Sequence, residues 1–288
     1  MTHGLDILYI LAHPDDESFG HAGTMLLAQD MNFRTGYICA TRGEAGEIRD
    51  STLATRASLA ARRELELRRA MTLAGLDDLR ILPYRDSGMD GTAENNDPRC
   101  LVQADEDEVT AMLVAAIREL KPRVVIGFGP EGVYRHPDHI RIGKLTDRAV
   151  VEAAGDEEPG LGDSWQIEAF YHVASPRERL IRSRTNPESP YFNASMEFLN
   201  TLGNPSADIT HWTNTSSKAE QKFAVLMQHA TQISKDNPIA DPESELHRAF
   251  MQTETLIRRD LPWDTDANDP ITQIRDTFPG SPAPDSVI

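Results

Sequence analysis

The chain has 288 residues, with 46 acidic and 29 basic side chains, and its formal net charge is -17. This charge argues against a nucleic-acid partner and against binding to an anionic membrane surface. No apolar run approaches the roughly 20 residues that span a bilayer, and the N-terminus lacks the layout of a signal peptide. We therefore expect a cytoplasmic protein without a membrane span, and a homo-oligomer is compatible with the sequence.

The first half of the chain alternates apolar runs with helical patterns, which is typical of a parallel sheet flanked by helices. Strands are predicted at residues 5–11, 33–40, 79–83 and 124–128, and helices at 20–31, 53–74, 105–120 and 137–154. The turn after the first strand carries His, Asp and Glu instead of a Gly-x-Gly-x-x-Gly sequence, so it would repel a pyrophosphate. The pattern predicts an α/β, Rossmann-like fold and disfavours dinucleotide binding.

The second half of the chain is less regular and mainly helical. We predict a surface linker at residues 155–164, a strand at 167–174, a strand-like segment at 209–212, and helices starting at 176 and spanning 216–233 and 243–259. Residues beyond 261 are rich in Pro, Asp and Thr, which predicts a loose tail or one laid over the surface. The expected organisation is a core at 1–154, an extension of the same domain at 155–262 that completes the substrate cleft, and a tail at 263–288.

Two His-Pro-Asp sequences follow two of the predicted strands. The first begins at His13 and the second at His136. Ligands collect where the carboxyl ends of parallel strands meet, so we expect both sequences to form one site. His13 and Asp16 lie three residues apart in a tight turn, and His139 would add a third ligand. Three N and O ligands with an open position are typical of a catalytic zinc site.

The other polar groups of these sequences suggest proton transfer. Asp15 is free to take a proton from water, and His136 would give one to a leaving group. Asp138 would orient His136 or raise its pKa. The alternative is structural, with His13 and Asp16 as a turn and cap pair and Asp138 as a partner of a helix dipole. That alternative must explain separately why both strand ends carry the same three residues.

These motifs resemble those of the LmbE/PIG-L family of zinc-dependent N-deacetylases. Residues 12–17 and 136–139 match the two motifs of the family, and 41–47 match its Thr-x-Gly-Glu-x-Gly loop. Residues 85–89, with the sequence Arg-Asp-Ser-Gly-Met, resemble a loop of the branch that contains the mycothiol-pathway deacetylase and the mycothiol S-conjugate amidase. The resemblance covers residues 5–150 best and implies the fold predicted above.

The resemblance also implies a role for each matching residue. It makes zinc the metal, with iron, cobalt or manganese as possible substitutes. By this resemblance His13, Asp16 and His139 would be the metal ligands, Asp15 the general base, and His136 the general acid with Asp138 modulating it. Tyr134 would donate a hydrogen bond to the oxyanion, and Arg63 and Asp86 would bind the sugar.

Three residues stand apart from these assignments. Arg135 is a departure, because relatives commonly have Gly there, and a bulky cation would restrict Tyr134 or contact an anionic substrate. Glu17 is either a partner of the site or an acidic residue at the start of a helix. His229, in a C-terminal helix, could reach the cleft, but its spacing favours helix packing.

The function that the resemblance implies is removal of the acetyl group from an N-acetylglucosamine-containing small molecule, such as a glucosaminyl inositol. One alternative is an amidase for a larger N-acyl glucosaminyl conjugate, such as a thiol S-conjugate or an antibiotic precursor. Another is a non-catalytic metal- or sugar-binding protein. A pure binding protein has no use for a base at Asp15 and an acid at His136.

Overall fold

The strands form one mixed sheet in the computed structural model, which describes residues 4–156, 159–187, 189, 191–265 and 267–278. In chain order they are β1 Ile7–Leu11, β2 Thr35–Thr41, β3 Asp78–Tyr84, β4 Val124–Phe128, β5 Ala169–Val173, β6 His211–Asn214 and β7 Thr253–Arg259. The order across the sheet is β3-β2-β1-β4-β5-β7-β6. β1 to β5 pair in parallel, whereas β7 pairs antiparallel with β5 and β6. The predicted mostly parallel α/β fold is confirmed.

Helices of very different length accompany the sheet in the described ranges. They are α1 Asp16–Gly20, α2 Ala22–Asp30, α3 Leu59–Leu73, α4 Glu106–Leu120, α5 Gly132–Arg135, α6 Pro137–Ala154, α7 Arg177–Ser183, α8 Met196–Leu199, α9 Ala219–Leu226, α10 Glu245–Gln252 and α11 Pro270–Thr277. Every residue of β1, β2, β4 and β5 is buried, as expected of apolar strands covered on both faces. None of the helices in the described ranges is long and apolar enough to cross a bilayer.

The order in which strands are added to the sheet reverses between β1 and β4. The chain moves outward from β1 to β3 on one side and then returns to place β4 on the other side of β1. Because both strands are parallel, the loops that follow them leave the same edge side by side. A reversal of strand order opens a crevice at this edge, and ligands bind there in open α/β sheets.

The predicted helix at residues 243–259 is wrong in its second half. Helix α10 ends at Gln252, and the next seven residues form β7 between β5 and β6. Threonine and isoleucine at 253, 255 and 257 favour an extended chain, since β-branched side chains lose less freedom in a strand than in a helix. The amphipathic helical spacing before residue 253 led to the prediction that the helix continues to residue 259.

The predicted tail contains an ordered helix. Asp269 begins α11 by accepting hydrogen bonds from the backbone N–H groups of Ile271 and Thr272, and Pro270 occupies the first turn. Ile271 and Ile274 are fully buried in the main core. An Asp-Pro pair is therefore a helix start here, and of the two predicted alternatives, a loose tail or one laid over the surface, the loose tail is wrong for this segment. Residues 279–288 lie outside the described part of the chain.

Three predicted helices also have different bounds in the structure. The helix predicted at 20–31 is interrupted at His21, which separates α1 from α2. α3 begins six residues later than predicted, at Leu59, and α9 ends at Leu226 instead of continuing to 233. The residues after α9 turn toward the crevice instead of continuing the helix.

A buried histidine on β6 gives the fold an expected pH dependence. The Nε2 atom of His211 lies 3.3 Å from the Tyr171 hydroxyl and 3.2 Å from the Thr272 hydroxyl. Burial, assisted by the charge of Arg275, lowers the pKa of His211 from 6.5 to about 4. Between these values the unfolded chain binds more protons than the folded one, so stability falls as the pH falls.

For the metal-free protein we expect this residue to cost about 2–3 kcal/mol of unfolding free energy between pH 7 and pH 4.5. Urea unfolding of wild type and His211→Gln at both pH values measures the effect. The variant should lose less stability than wild type over this interval. An equal loss in both proteins would contradict the expectation.

Candidate metal centre and active site

The two His-Pro-Asp loops meet at the reversal point of the sheet. The first loop leaves β1 and enters α1, and the second enters α6 after the short, kinked α5. Ligand atoms of three residues in these loops converge, with both carboxylate oxygens of Asp16 taking part. His13 Nδ1 lies 3.1 Å from His139 Nε2 and 3.6 Å from Asp16 Oδ2, and Asp16 Oδ1 lies 3.3 Å from His139 Nε2.

These separations fit a shared cation. Ligand atoms about 2.0–2.1 Å from a tetrahedral zinc ion lie roughly 3.3 Å from one another. The loop is held in this shape because Asp16 Oδ2 also accepts the backbone N–H groups of Ala12 and His13. His139 stacks on Phe128 with the ring centroids 3.9 Å apart. The packing of both loops therefore sets the donor positions in advance.

The electrostatics of the cluster also favour positive charge. Burial alone would lower the pKa of His13, but Asp86, Asp138 and Asp16 raise it well above 6.5. Burial acts to raise the pKa of Asp16, yet His139 and His13 hold it well below its usual range. A site that keeps a proton on a buried imidazole in this way is suited to a divalent cation, which would compete with that proton.

Other donor sets are available within the described residues. His13, His136 and His139 offer ligand atoms within 4.8 Å of one another, and so do His13, Asp86, His136 and Asp138. His136 is a weaker candidate than Asp16, because its Nδ1 already accepts the backbone N–H of Asp138 and its Nε2 lies 3.9 Å from Asp86 Oδ1.

Asp138 contacts a different histidine from the one that we expected. Its Oδ2 lies 3.1 Å from His13 Nε2 and accepts the backbone N–H of Ser87 at 2.9 Å. Its other oxygen accepts the Ser87 hydroxyl. Only the backbone N–H of Asp138 reaches His136. A carboxylate on the far nitrogen of a histidine fixes the ring and its tautomer, so Asp138 orients His13. Ser87, which holds this carboxylate, lies in the Arg-Asp-Ser-Gly-Met segment of the resemblance, but the sequence predicted no role for it.

The expected rise in the pKa of His136 is also wrong. Burial, together with the charges of His13 and His139, lowers the pKa of His136 to about 3. The ring is therefore neutral at pH 7. Because Nδ1 accepts the Asp138 N–H, the proton of the neutral ring is on Nε2. His136 is thus a hydrogen-bond donor in the resting site.

Asp15 lies beside the donor triad and is held by Arg63. Its Oδ2 is 3.0 Å from Arg63 Nη2, and burial raises the pKa of Asp15 from 3.8 to about 6 even though Arg63 lowers it. Arg63 is 3% exposed and also donates to the carbonyl oxygens of Pro14 and Gly43. A side chain at Gly43, where φ is +66°, would collide with this guanidinium. The glycine loop therefore makes room for Arg63.

The remaining predicted residues lie around the same crevice. Asp86 is 4% exposed, lies 3.7 Å from His13 Nε2, and accepts the backbone N–H groups of Gly88 and Ala45. Its pKa is held well below the usual range, because the charge of His13 outweighs the effect of burial. The Tyr134 hydroxyl lies 3.5 Å from His139 Nε2, and the residue is 39% exposed. The structure thus gathers all nine predicted residues at one place.

Two residues that the sequence left open form a buried ion pair at this site. His229 Nε2 lies 2.7 Å from Glu17 Oε1, and both side chains are fully buried. Burial acts to lower the pKa of His229, but Glu17 outweighs it and the pKa is raised. Helix packing is therefore not the role of His229. The segment that carries it follows α9 at the point where the predicted helix would have continued.

Comparison with known proteins places the chain among its relatives. Residues 8–150 match the family model described as PIG-L, GlcNAc-PI de-N-acetylase. A protein of Kineococcus radiotolerans is 35% identical over 274 residues, covering 85% of this chain and 74% of the relative. A protein of Geodermatophilus obscurus is 34% identical over 272 residues, covering 88% of this chain and 92% of the relative. The chain belongs to the PIG-L family.

Membership of the LmbE/PIG-L family, predicted from the two motifs, is thereby confirmed. Both relatives are named 1D-myo-inositol 2-acetamido-2-deoxy-alpha-D-glucopyranoside deacetylase. Among solved structures, N,N'-diacetylchitobiose deacetylase from Pyrococcus horikoshii matches with a TM-score of 0.61 at 19% identity, covering 88% of this chain and 84% of that chain. A conserved protein from Thermus thermophilus matches with a TM-score of 0.58 at 22% identity, covering 91% and 100%. These structures share the fold.

Proposed function

We propose that this PIG-L family protein hydrolyses the acetamide of an N-acetylglucosamine-containing small molecule of the glucosaminyl inositol kind. The products are acetate and the free 2-amino sugar. One observation carries the proposal: a carboxylate with a raised pKa, Asp15, lies next to a triad of donors that fits a divalent metal. The names of relatives that align with more than four-fifths of the chain support the substrate class.

We assign the metal, in first place zinc, to His13, Asp16 and His139. The fit rests on the spacing of the donor atoms of these three residues, on the carboxylates that favour positive charge there, and on the contact of Asp138 with His13 Nε2. Iron, cobalt or manganese suit the same N and O donors. A metal ion bound there would polarise the amide carbonyl and lower the pKa of water.

Asp15 is the general base in this proposal. Its pKa of about 6 leaves it ionised at pH 7, yet basic enough to take a proton from the attacking water. Arg63 directs the carboxylate by its contact with Oδ2. The sugar contact that the resemblance implies for Arg63 stays a prediction, because the guanidinium is occupied by Asp15 and two backbone carbonyls.

The C–N bond of the tetrahedral intermediate breaks when its nitrogen receives a proton. We assign this proton to Asp15, which has just taken one from water and whose pKa is close to neutral. The acid role predicted for His136 stays a prediction: it requires an imidazolium, whereas the low pKa of this residue in the metal-free protein favours the neutral ring. We assign to His136 the donation of an Nε2–H hydrogen bond to the leaving group. In this proposal Tyr134 would donate a hydrogen bond to the oxyanion, a bound metal would also stabilise its charge, and Asp86 would accept a hydrogen bond from a sugar hydroxyl.

A substrate panel tests the reaction and its rival. Metal-loaded protein should release primary amine from N-acetylglucosaminyl inositol faster than from bulky N-acyl glucosaminyl conjugates, such as a thiol S-conjugate. A preference for the conjugates would favour the amidase alternative. Binding of these compounds without amine release above the metal-free control would contradict hydrolysis and favour a binding protein.

A further inference from the structure

A chain of contacts links the C-terminal part of the protein to the backbone of Asp15. One oxygen of Glu17 lies 2.7 Å from His229 Nε2, and the other accepts the backbone N–H of Asp15 at 2.9 Å. The Ser18 hydroxyl also donates to Glu17. A single buried carboxylate therefore connects Asp15 to a histidine 212 positions away from that carboxylate in the sequence.

Packing alone does not account for this ion pair. Glu17 and His229 are both fully buried, and removal of two charged groups from water costs more than packing two apolar side chains of similar size. His229 Nδ1 is also buried and has no hydrogen-bond partner within the described part of the chain. Among the described residues, the hydrogen bond of the ring is therefore the one to Glu17.

The backbone of Asp15 needs such support. Its φ is +119°, in the region where a residue with a Cβ is strained. Strain of this kind persists only where the surroundings hold it, and it is concentrated at functional sites. Arg63 holds the side chain of Asp15, whereas Glu17 holds its N–H group. The two contacts fix different parts of the same residue.

The segment that carries His229 is also anchored independently of Glu17. The Thr231 hydroxyl donates to Glu66 at 2.7 Å, and the Gln232 side chain donates to the Glu47 carbonyl oxygen at 3.0 Å. Loss of the His229 contact alone would leave these two anchors in place. The structure therefore allows the effect on Asp15 to be separated from docking of the segment.

We infer that His229 is a positioning residue for Asp15, because through Glu17 it fixes the backbone conformation that aims the Asp15 carboxylate at the reacting water. The inference rests on the proposed function for its effect on turnover. Its structural part concerns only the conformation of Asp15. It gives the C-terminal part of the chain a role in the reaction itself, beyond shaping a cleft.

The test compares His229→Leu, which removes the donor, with His229→Gln, whose amide nitrogen can replace Nε2. We expect His229→Leu to lower kcat about 10- to 100-fold, the usual cost of losing a supporting contact, with KM and metal content unchanged. His229→Gln should restore most of the activity. Thr231→Val, which removes an anchor of the same segment, is the matched control and should retain kcat. If His229→Leu does not fold, His229→Asn, which is too short to reach Glu17, takes its place.

A second readout follows the geometry directly. In a crystal structure of metal-free His229→Leu, the φ of Asp15 should leave the positive region or its carboxylate should separate from Arg63. In the Asp15→Asn background, His229→Leu should lower the residual rate no further, since both changes act through one group.

Three outcomes would overturn the inference: an unmoved Asp15 in the variant crystal structure, equal rates for the Leu and Gln variants, or additive losses with Asp15→Asn. Failure of the proposed function has a different signature, because wild type would then release no amine from any glucosaminide. The conformation of Asp15 in the variant crystal would still decide the inference.

Discussion

Asp15→Asn should keep its metal and lose turnover. Asparagine has nearly the same shape and can still accept from Arg63, which lies 3.0 Å from the carboxylate, but it cannot take a proton. A general base contributes about 10²- to 10⁴-fold to a rate, and we expect kcat to fall within or beyond this range. Metal content by elemental analysis and amine release on one preparation give both quantities.

The matched control for this variant is Asp90→Asn, on an exposed residue outside the cluster. It should behave as wild type in both measurements. If Asp15→Asn loses metal and activity in parallel, Asp15 is a metal ligand and not the general base. Retained activity would contradict the assignment of the base.

Asp16→Ala should lose the metal, whereas His136→Ala should keep it. Asp16 faces both His13 and His139 at 3.3–3.6 Å, while His136 is turned toward Asp86. We expect affinity in Asp16→Ala to fall by more than the roughly 10–100-fold that the loss of a supporting residue costs. His136→Ala should bind metal as wild type does but turn over more slowly, because the leaving group loses a hydrogen-bond donor.

Competition with a chelator of known affinity measures both variants. Removal of Asp16 also frees two backbone N–H groups, so the folded fraction is measured alongside by circular dichroism. The opposite ranking, with His136→Ala the weaker binder, would identify the three histidines as the ligand set and contradict ours.

The sequence is sufficient to predict those parts of the fold and site that depend on short segments and on the ends of strands. The strands from β1 to β4 were predicted because apolar runs covered on both faces leave a clear pattern. His13, Asp16 and His139 could be grouped because the carboxyl ends of neighbouring parallel strands meet. The positions of the two motifs at strand ends are enough to predict that their residues lie close together, even when the directions of the side chains are unknown.

The sequence failed where the answer depends on which way a side chain points. Asp138 is next to Pro137 and two residues from His136, yet its carboxylate contacts His13, since the first turn of α6 directs it away from its neighbour. Burial and the charges of His13 and His139 lower the pKa of His136, against the expected rise. His229 could not be linked to Glu17, because the turn that ends α9 before residue 229 has no strong signal in the sequence.

In the proposed reaction, the protein hydrolyses the acetamide of a glucosaminide at a single metal site beside Asp15. The most direct measurement is the amine-release assay on N-acetylglucosaminyl inositol, with acetate measured in the same samples before and after metal is restored to stripped wild type. We predict no release without metal, and equal amounts of amine and acetate once one ion per chain is bound. Full activity in the stripped protein, or no release at any metal content, would contradict the claim.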